Sequence, residues 1–229
     1  FKSNRKRYPL MNIKNDHFYL AVDEISFKEL LKNERLMNLS FHKEVVADEG
    51  QASWEGLYFI GEDKIYFELV KENEKMGIRP GSIGLALSHL AENGEQESLE
   101  KIIKTMTDIT WTESERKKED GSSWFKSWFN EKYEPGFVFW LMAYQGKEIE
   151  GRGNKAPTGI KRFIEARFHL PVENFSYSID ILSQIVDTNT VGEILEVSFP
   201  DQRMSLKFPP SQSQNELDIE TLDGKLVTL

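Results

Sequence analysis

The chain has 229 residues, of which 39% are hydrophobic and 29% charged, a composition that supports a large buried core and excludes a disordered chain. A net charge of −9 and a pI near 5.1 argue against a nucleic-acid partner, whose phosphates need clustered lysine and arginine. There is no cysteine, so disulfides, cysteine-bound zinc and thiol nucleophiles are excluded together; no apolar run is long enough for a membrane span.

Residues 1–15 read as an N-terminal arm, with the basic run around Arg5, Lys6 and Arg7 solvated. The first residue is Phe1 rather than methionine, so the expectation of a cytoplasmic protein leaves a removed export signal open. Asp16 to Val22 alternates, with His17, Tyr19 and Ala21 on one face and Phe18, Leu20 and Val22 on the other. Glu24 to Leu36 carries Ile25, Phe27, Leu30, Leu31 and Leu36 at helical spacing, a helix that covers a sheet. His42 follows in a stretch read as a loop. Trp54 to Ile60 and Lys64 to Val70 then flank Gly61-Glu62-Asp63, a hairpin of two strands. In the second of these, Tyr66, Glu68 and Val70 share a face opposite Ile65, Phe67 and Leu69. A carboxylate inside an apolar strand needs partners or a polar cavity, which makes Glu68 a candidate pocket residue.

After Arg79-Pro80-Gly81 the order starts again. Ser82 to Ser88 reads as a strand, Glu95 to Met106 as a helix, and Ile109 to Glu115 and Phe137 to Tyr144 as strands. Between the last two lies an aromatic insertion, Glu119 to Tyr133, whose Trp124, Phe125, Trp128 and Phe129 suit one side of a short helix. Laying residues 18–22 over 83–87, and 65–70 over 137–142, matches leucine, alanine and phenylalanine positions and supports an internal duplication. Residues 146–159 are polar and glycine-rich, a linker; its Gly151-Arg152-Gly153-Asn154-Lys155 fits no phosphate-loop spacing. Beyond it a short helix is expected over 160–168 and strands over 175–181, 194–199, 204–208 and 217–222. His169 reads as a loop residue, 209–214 as a turn, and the whole tail as a third, incomplete unit. The expected organisation is therefore an arm (1–15), a first βαβββ module (16–72), a second with the aromatic insertion (73–146) and a smaller C-terminal α/β extension (147–229) in an α+β protein.

The stretches DHFYLAVD, SWEGLYFIGEDKIYFELV and PGSIGLALS, in a strand–helix–strand–strand–strand order used twice, resemble an uncharacterised bacterial branch of glyoxalase-like proteins. These belong to the vicinal oxygen chelate superfamily, with glyoxalase I, ring-cleaving dioxygenases and bleomycin-resistance proteins. The resemblance covers roughly residues 13–145. It implies that each module curls into a half-cup and that metal-dependent members place four protein ligands on the first and last strands of both modules. His17 and Glu68, 51 residues apart, take those positions in the first module. A nitrogen and a carboxylate suit one divalent metal (zinc, nickel, iron or manganese), and Glu68 is then the catalytic base. The second module offers Ser82 and Trp140 at the matching positions, neither a good ligand; His89 lies on the opposite face by parity. Glu113, Tyr144 and Glu196 are further donors without supporting spacing. The expected pocket is lined by His17, Tyr19, Tyr66, Ser82 and Trp140. The first expectation is a small-ligand-binding protein with an incomplete metal site, homodimeric by resemblance. The alternatives are an active metal-dependent lyase, isomerase or dioxygenase, and a protein-interaction module whose contact surface is the insertion around Trp124 and Trp128.

Overall fold

The computed structural model describes residues 13–45, 53–89, 96–106, 109–117, 120–130, 136–144, 159–186, 188–199, 204–211, 216–221 and 226–228. The basic arm and the Gly151–Lys155 motif lie outside them. Strand β1 (Ile13–Val22) leads to two short helices, α1 (Glu24–Leu30) and α2 (Glu34–Asn38). The single helix expected here breaks because each half has its own N-terminal cap. Asp23 accepts from the Ser26 N–H at 2.8 Å and Asn33 accepts from the Leu36 N–H at 3.2 Å. Strands β2 (Phe41–Val45), β3 (Trp54–Ile60) and β4 (Tyr66–Lys71) complete the first unit, so His42 stands on a strand rather than a loop.

The second unit comprises β5 (Ile83–His89), α3 (Gln96–Thr105), β6 (Trp111–Lys117), β7 (Ser123–Asn130) and β8 (Phe137–Tyr144). Here the aromatic insertion is a strand, not a helix. Trp128 faces the main core and Phe125 and Phe129 the other side, the two-residue period that aromatic side chains favour on a pleated surface. Two further expectations are exchanged. Residues 160–168 fall largely in strand β9 (Phe163–Pro171), where Ala166, Phe168 and Leu170 are buried and Glu165, Arg167 and His169 alternate with them. Residues 175–181 lie in helix α4 (Val172–Ile185), which buries Ile181, Leu182 and Ile185. Strands β10 (Thr188–Val191), β11 (Ile194–Phe199), β12 (Met204–Phe208), β13 (Pro210–Ser211), β14 (Glu216–Thr221) and β15 (Leu226–Thr228) follow. Pro210 and Ser211, expected in a turn, pair with the end of β9. The unit β9-α4-β10-β11-β12 is itself a complete βαβββ arrangement, which corrects the expectation of an incomplete one.

Eight strands form one sheet in the order β2-β3-β4-β1-β5-β8-β7-β6. Within each half the first strand is parallel to the last, β1 with β4 and β5 with β8, and an antiparallel β1–β5 pair joins the halves. The second sheet repeats this logic: β12 is parallel to β9 and β14 antiparallel to it. One core joins the sheets. Phe18 meets Phe163 and Phe168 edge-on at 5.5 and 6.0 Å, and Phe168 stacks on Phe208 at 5.1 Å. The opposite face of the eight-stranded sheet carries a separate cluster of Tyr19, Ala21, Val70, Ala86, Trp140, Met142 and Tyr144. Among the described residues no helix is long and apolar enough to cross a membrane.

Candidate functional site

The second face is built by register. Reading across the sheet, Tyr58, Glu68, Tyr19 and Gly84 form one row, and Tyr66, His17, Ala86, Trp140 and Phe129 the next. Four of the expected pocket residues, His17, Tyr19, Tyr66 and Trp140, therefore stand together with Glu68. The His17 ring stacks on Tyr66 at 4.3 Å and meets Trp140 edge-on at 5.2 Å. Ser82 is spent elsewhere: its hydroxyl donates to the Arg79 carbonyl at 2.5 Å, closing the turn before β5. His89 pairs across the strands with Ile13 and Ala143 on the core face, away from His17.

A β-bulge reshapes the start of β1. Asn15 pairs with Leu87 and His17 with Ala86, so Asp16 is an extra residue. The bulge lets Asp16, fully buried, join its neighbour: His17 Nδ1–H donates to Asp16 Oδ1 at 2.6 Å. From the second half Tyr144 donates to the same oxygen at 3.4 Å. An imidazole held at Nδ1 by a carboxylate presents Nε2 as its free base. Burial nevertheless lowers the His17 pKa to about 4, with the Glu68 charge opposing the shift, so the ring is neutral at neutral pH.

Glu68 is only 6% exposed. Burial raises its pKa; His17, a hydrogen bond from Tyr58 and the charge of Lys43 oppose that rise. Tyr58 in turn accepts from the Trp54 indole N–H at 2.6 Å, and burial pushes its own phenol up so that it stays a donor. The other carboxylate oxygen, Oε1, is buried without a hydrogen-bond partner. Gly56 makes room for it: a Cβ there would lie 2.7 Å from Oε1. Gly84 does the same for Tyr19, whose Cε1 would stand 2.0 Å from an added Cβ. The rims approach each other where the Arg116 guanidinium of β6 lies 5.3 Å over the Trp54 ring of β3. Asp16, Tyr58, Trp54 and Lys43 were not singled out from sequence. Only the bulge and the cross-strand register bring them to the site.

The donor set does not fit the four-ligand divalent centre of metal-dependent superfamily members. Among the described residues no three His, Asp or Glu side chains come together to hold a metal ion. At the matching positions of the second half stand Ser82, whose hydroxyl is spent on the Arg79 carbonyl, and Trp140, packed in the apolar cluster, neither a metal ligand. Of the other donors considered, Glu113 is taken by Trp128 and Lys126, and Glu196 lies on the second sheet beside Lys207. Tyr144 alone reaches the site.

Structural comparison agrees with the topology. A hypothetical protein from Staphylococcus aureus superposes with a TM-score of 0.56 at 9% identity, over 94% of this chain and 98% of that one. A xylose isomerase-like TIM barrel/4-hydroxyphenylpyruvate dioxygenase fusion protein gives 0.53 at 16% identity, over 93% of this chain but only 37% of its own length. The Mn(II)-bound glyoxalase from Novosphingobium aromaticivorans follows with 0.47 at 9% identity, over 94% of this chain and 80% of that one. At such identities the likeness to the first two is one of fold alone, an arrangement of vicinal oxygen chelate type. No curated protein matches the chain in sequence. A family model does, over residues 15–162, and it spans β1 to β8 and every residue of the site: the chain belongs to the family of unknown function DUF5829.

Proposed function

We propose that this protein binds a small molecule on the concave face of its eight-stranded sheet, with Glu68 as the principal acceptor and His17 as a neutral, oriented neighbour. One observation carries the reading. Glu68 Oε1 is buried with no donor, packed over Gly56, where any larger side chain would collide with it. A buried carboxylate oxygen without a partner costs on the order of 1–3 kcal/mol or more, a cost that a ligand donor removes. Around it, Tyr58, Tyr66, Tyr19 and Trp140 supply apolar area, and Asp16 fixes the His17 tautomer. A ligand proton that reaches this site meets two bases: Glu68, whose pKa burial has raised, and the His17 Nε2.

The indole signals of Trp54 and Trp140 report on the site from its two walls. A chemically mixed fragment library screened against them by NMR is expected to give binders that lose roughly tenfold in affinity in Glu68→Gln. The reading fails if no fragment moves either indole, or if all binders are indifferent to Glu68→Gln and His17→Ala.

A further inference from the structure

The surroundings of Glu68 also define the charge of its ligand. This step rests on the binding role just proposed. Four rings stand on the same face as the carboxylate: Tyr58, which donates to it and stacks on Phe41 at 4.8 Å; Tyr66, 5.7 Å from Tyr58; and Tyr19, directly opposite Glu68 across the β1–β4 pair. Trp140 closes the group at 5.8 Å from Tyr19, and Trp54 adds its ring at the rim. Aromatic faces carry negative potential and attract cations, most strongly where water is displaced. The described ionisable groups of this face are Asp16, Glu68 and the neutral His17 near its centre, with Lys43 on the outermost strand across from Gly56, Arg116 at the rim over Trp54, and Lys14 at the start of β1 across from Ser88. An anion placed against Glu68 faces a carboxylate and ring faces together; Lys43 is the cation whose charge reaches Glu68, while the Arg116 guanidinium lies over the Trp54 ring at the rim. A neutral hydroxyl satisfies the orphan oxygen but gains little from the rings.

We infer that the concave face is a site for a small organic cation carrying at least one N–H, a protonated primary or secondary amine, held by a charge-assisted hydrogen bond to Glu68 Oε1 and by cation–π contact with the surrounding tyrosines and tryptophan. The N–H requirement comes from Oε1, which lacks a donor. The positive charge is required by the rings. Lys43 does not fill the role, because Oε1 has no donor within reach even with Lys43 on the neighbouring strand. Its charge acts on Glu68 from a distance and competes with the ligand.

The test uses three probes of one length: n-butylammonium, 1-butanol and butyrate, titrated into the full chain with the Trp54 and Trp140 indole signals as the readout. Butylammonium is expected to bind at least tenfold more tightly than butanol, and butyrate not to saturate. Glu68→Gln keeps the shape and removes the charge, and should weaken the amine roughly tenfold while moving butanol less than about threefold. Lys43→Ala, a substitution at a half-buried edge position, should tighten the amine by about threefold; it keeps the question answerable if Glu68→Gln fails to fold. Butanol or butyrate binding as well as the amine would overturn the cation assignment, as would an amine affinity unchanged in both variants. So would silence from all three probes while other fragments occupy the site. Those three results leave the ligand-binding role standing. A mixed library with no binder at all removes both.

Discussion

The first and third units share a strand order and differ in how one face handles charge. In each, a central strand lies between a parallel and an antiparallel neighbour: β1 between β4 and β5, β9 between β12 and β14. On β9 the polar face is neutralised. Glu165 accepts from Arg167 Nε at 2.5 Å and pairs with Lys207 at 2.6 Å; Lys207 also reaches Glu196 at 3.7 Å. His169 meets Asp218 at 3.0 Å. Burial alone would raise the Glu165 pKa, yet Lys207 and Arg167 outweigh it and hold the group low. On the first unit burial wins. Glu68 is pushed up, its Oε1 has no donor, and its neighbour His17 is pushed down into the neutral form. The same scaffold thus carries matched charges where it needs only a solvated surface, and unmatched ones where a ligand is proposed to complete them.

The comparison holds only if both units belong to one folded body, and the strongest test addresses that. Phe168 is fully buried between the sheets, against Phe18, Phe137 and Phe208. Phe168→Ala should cost about 3–5 kcal/mol in chemical denaturation and shift a single transition seen equally by Trp140 and by far-ultraviolet circular dichroism. Two separated transitions, with the Trp140 signal unmoved, would show that the units do not share a cooperative core.

Next comes the pH dependence of the first unit. His17 binds its proton near pH 4 in the folded chain and near its ordinary 6.5 when unfolded. Between those values the unfolded chain holds more protons, so stability is present above pH 6.5 and is lost as pH falls toward 4. The full difference corresponds to at most about 3 kcal/mol. Glu68 acts in the opposite direction: its raised pKa means a contribution present at low pH and lost as pH climbs above the ordinary carboxylate value. Urea denaturation from pH 4 to 8 should therefore show a maximum, and His17→Gln should flatten its acid side. An unchanged acid slope in that variant would place the titration elsewhere.

Sequence revealed some of this and physics hid the rest. The hairpin from Trp54 to Val70 is legible because two runs rich in aromatic and aliphatic residues flank Gly61-Glu62-Asp63, which marks the turn; Glu68 stands out there as a charge between Phe67 and Leu69. Asp16 is invisible to a two-residue period, which assigns it to the face opposite His17. The bulge that reverses this leaves no mark in composition. Tyr58 meets Glu68 only through the β3–β4 register, a non-local fact, and Trp54 joins the site through its bond to Tyr58. The exchanged helix and strand around residues 160–185, like the strand at 123–130, are short apolar or aromatic runs that satisfy both periodicities. Tertiary packing decides them.

The smallest effect discriminates best, because it compares the two units by the same chemical change. Glu→Gln removes a charge and keeps the shape. At Glu165 it removes the counter-charge of Lys207 and Arg167, so stability at pH 8 should fall by about 1 kcal/mol or less, as for a partly exposed pair. At Glu68 it relieves a buried carboxylate with an unsatisfied oxygen, so stability at pH 8 should rise, by about 1–2 kcal/mol, even as ligand affinity falls. Opposite signs measured side by side would mark Glu68 as a residue kept at a cost to the fold. A loss of stability in both variants would mean that Glu68 has structural partners as good as those of Glu165, and the contrast between the two faces would disappear.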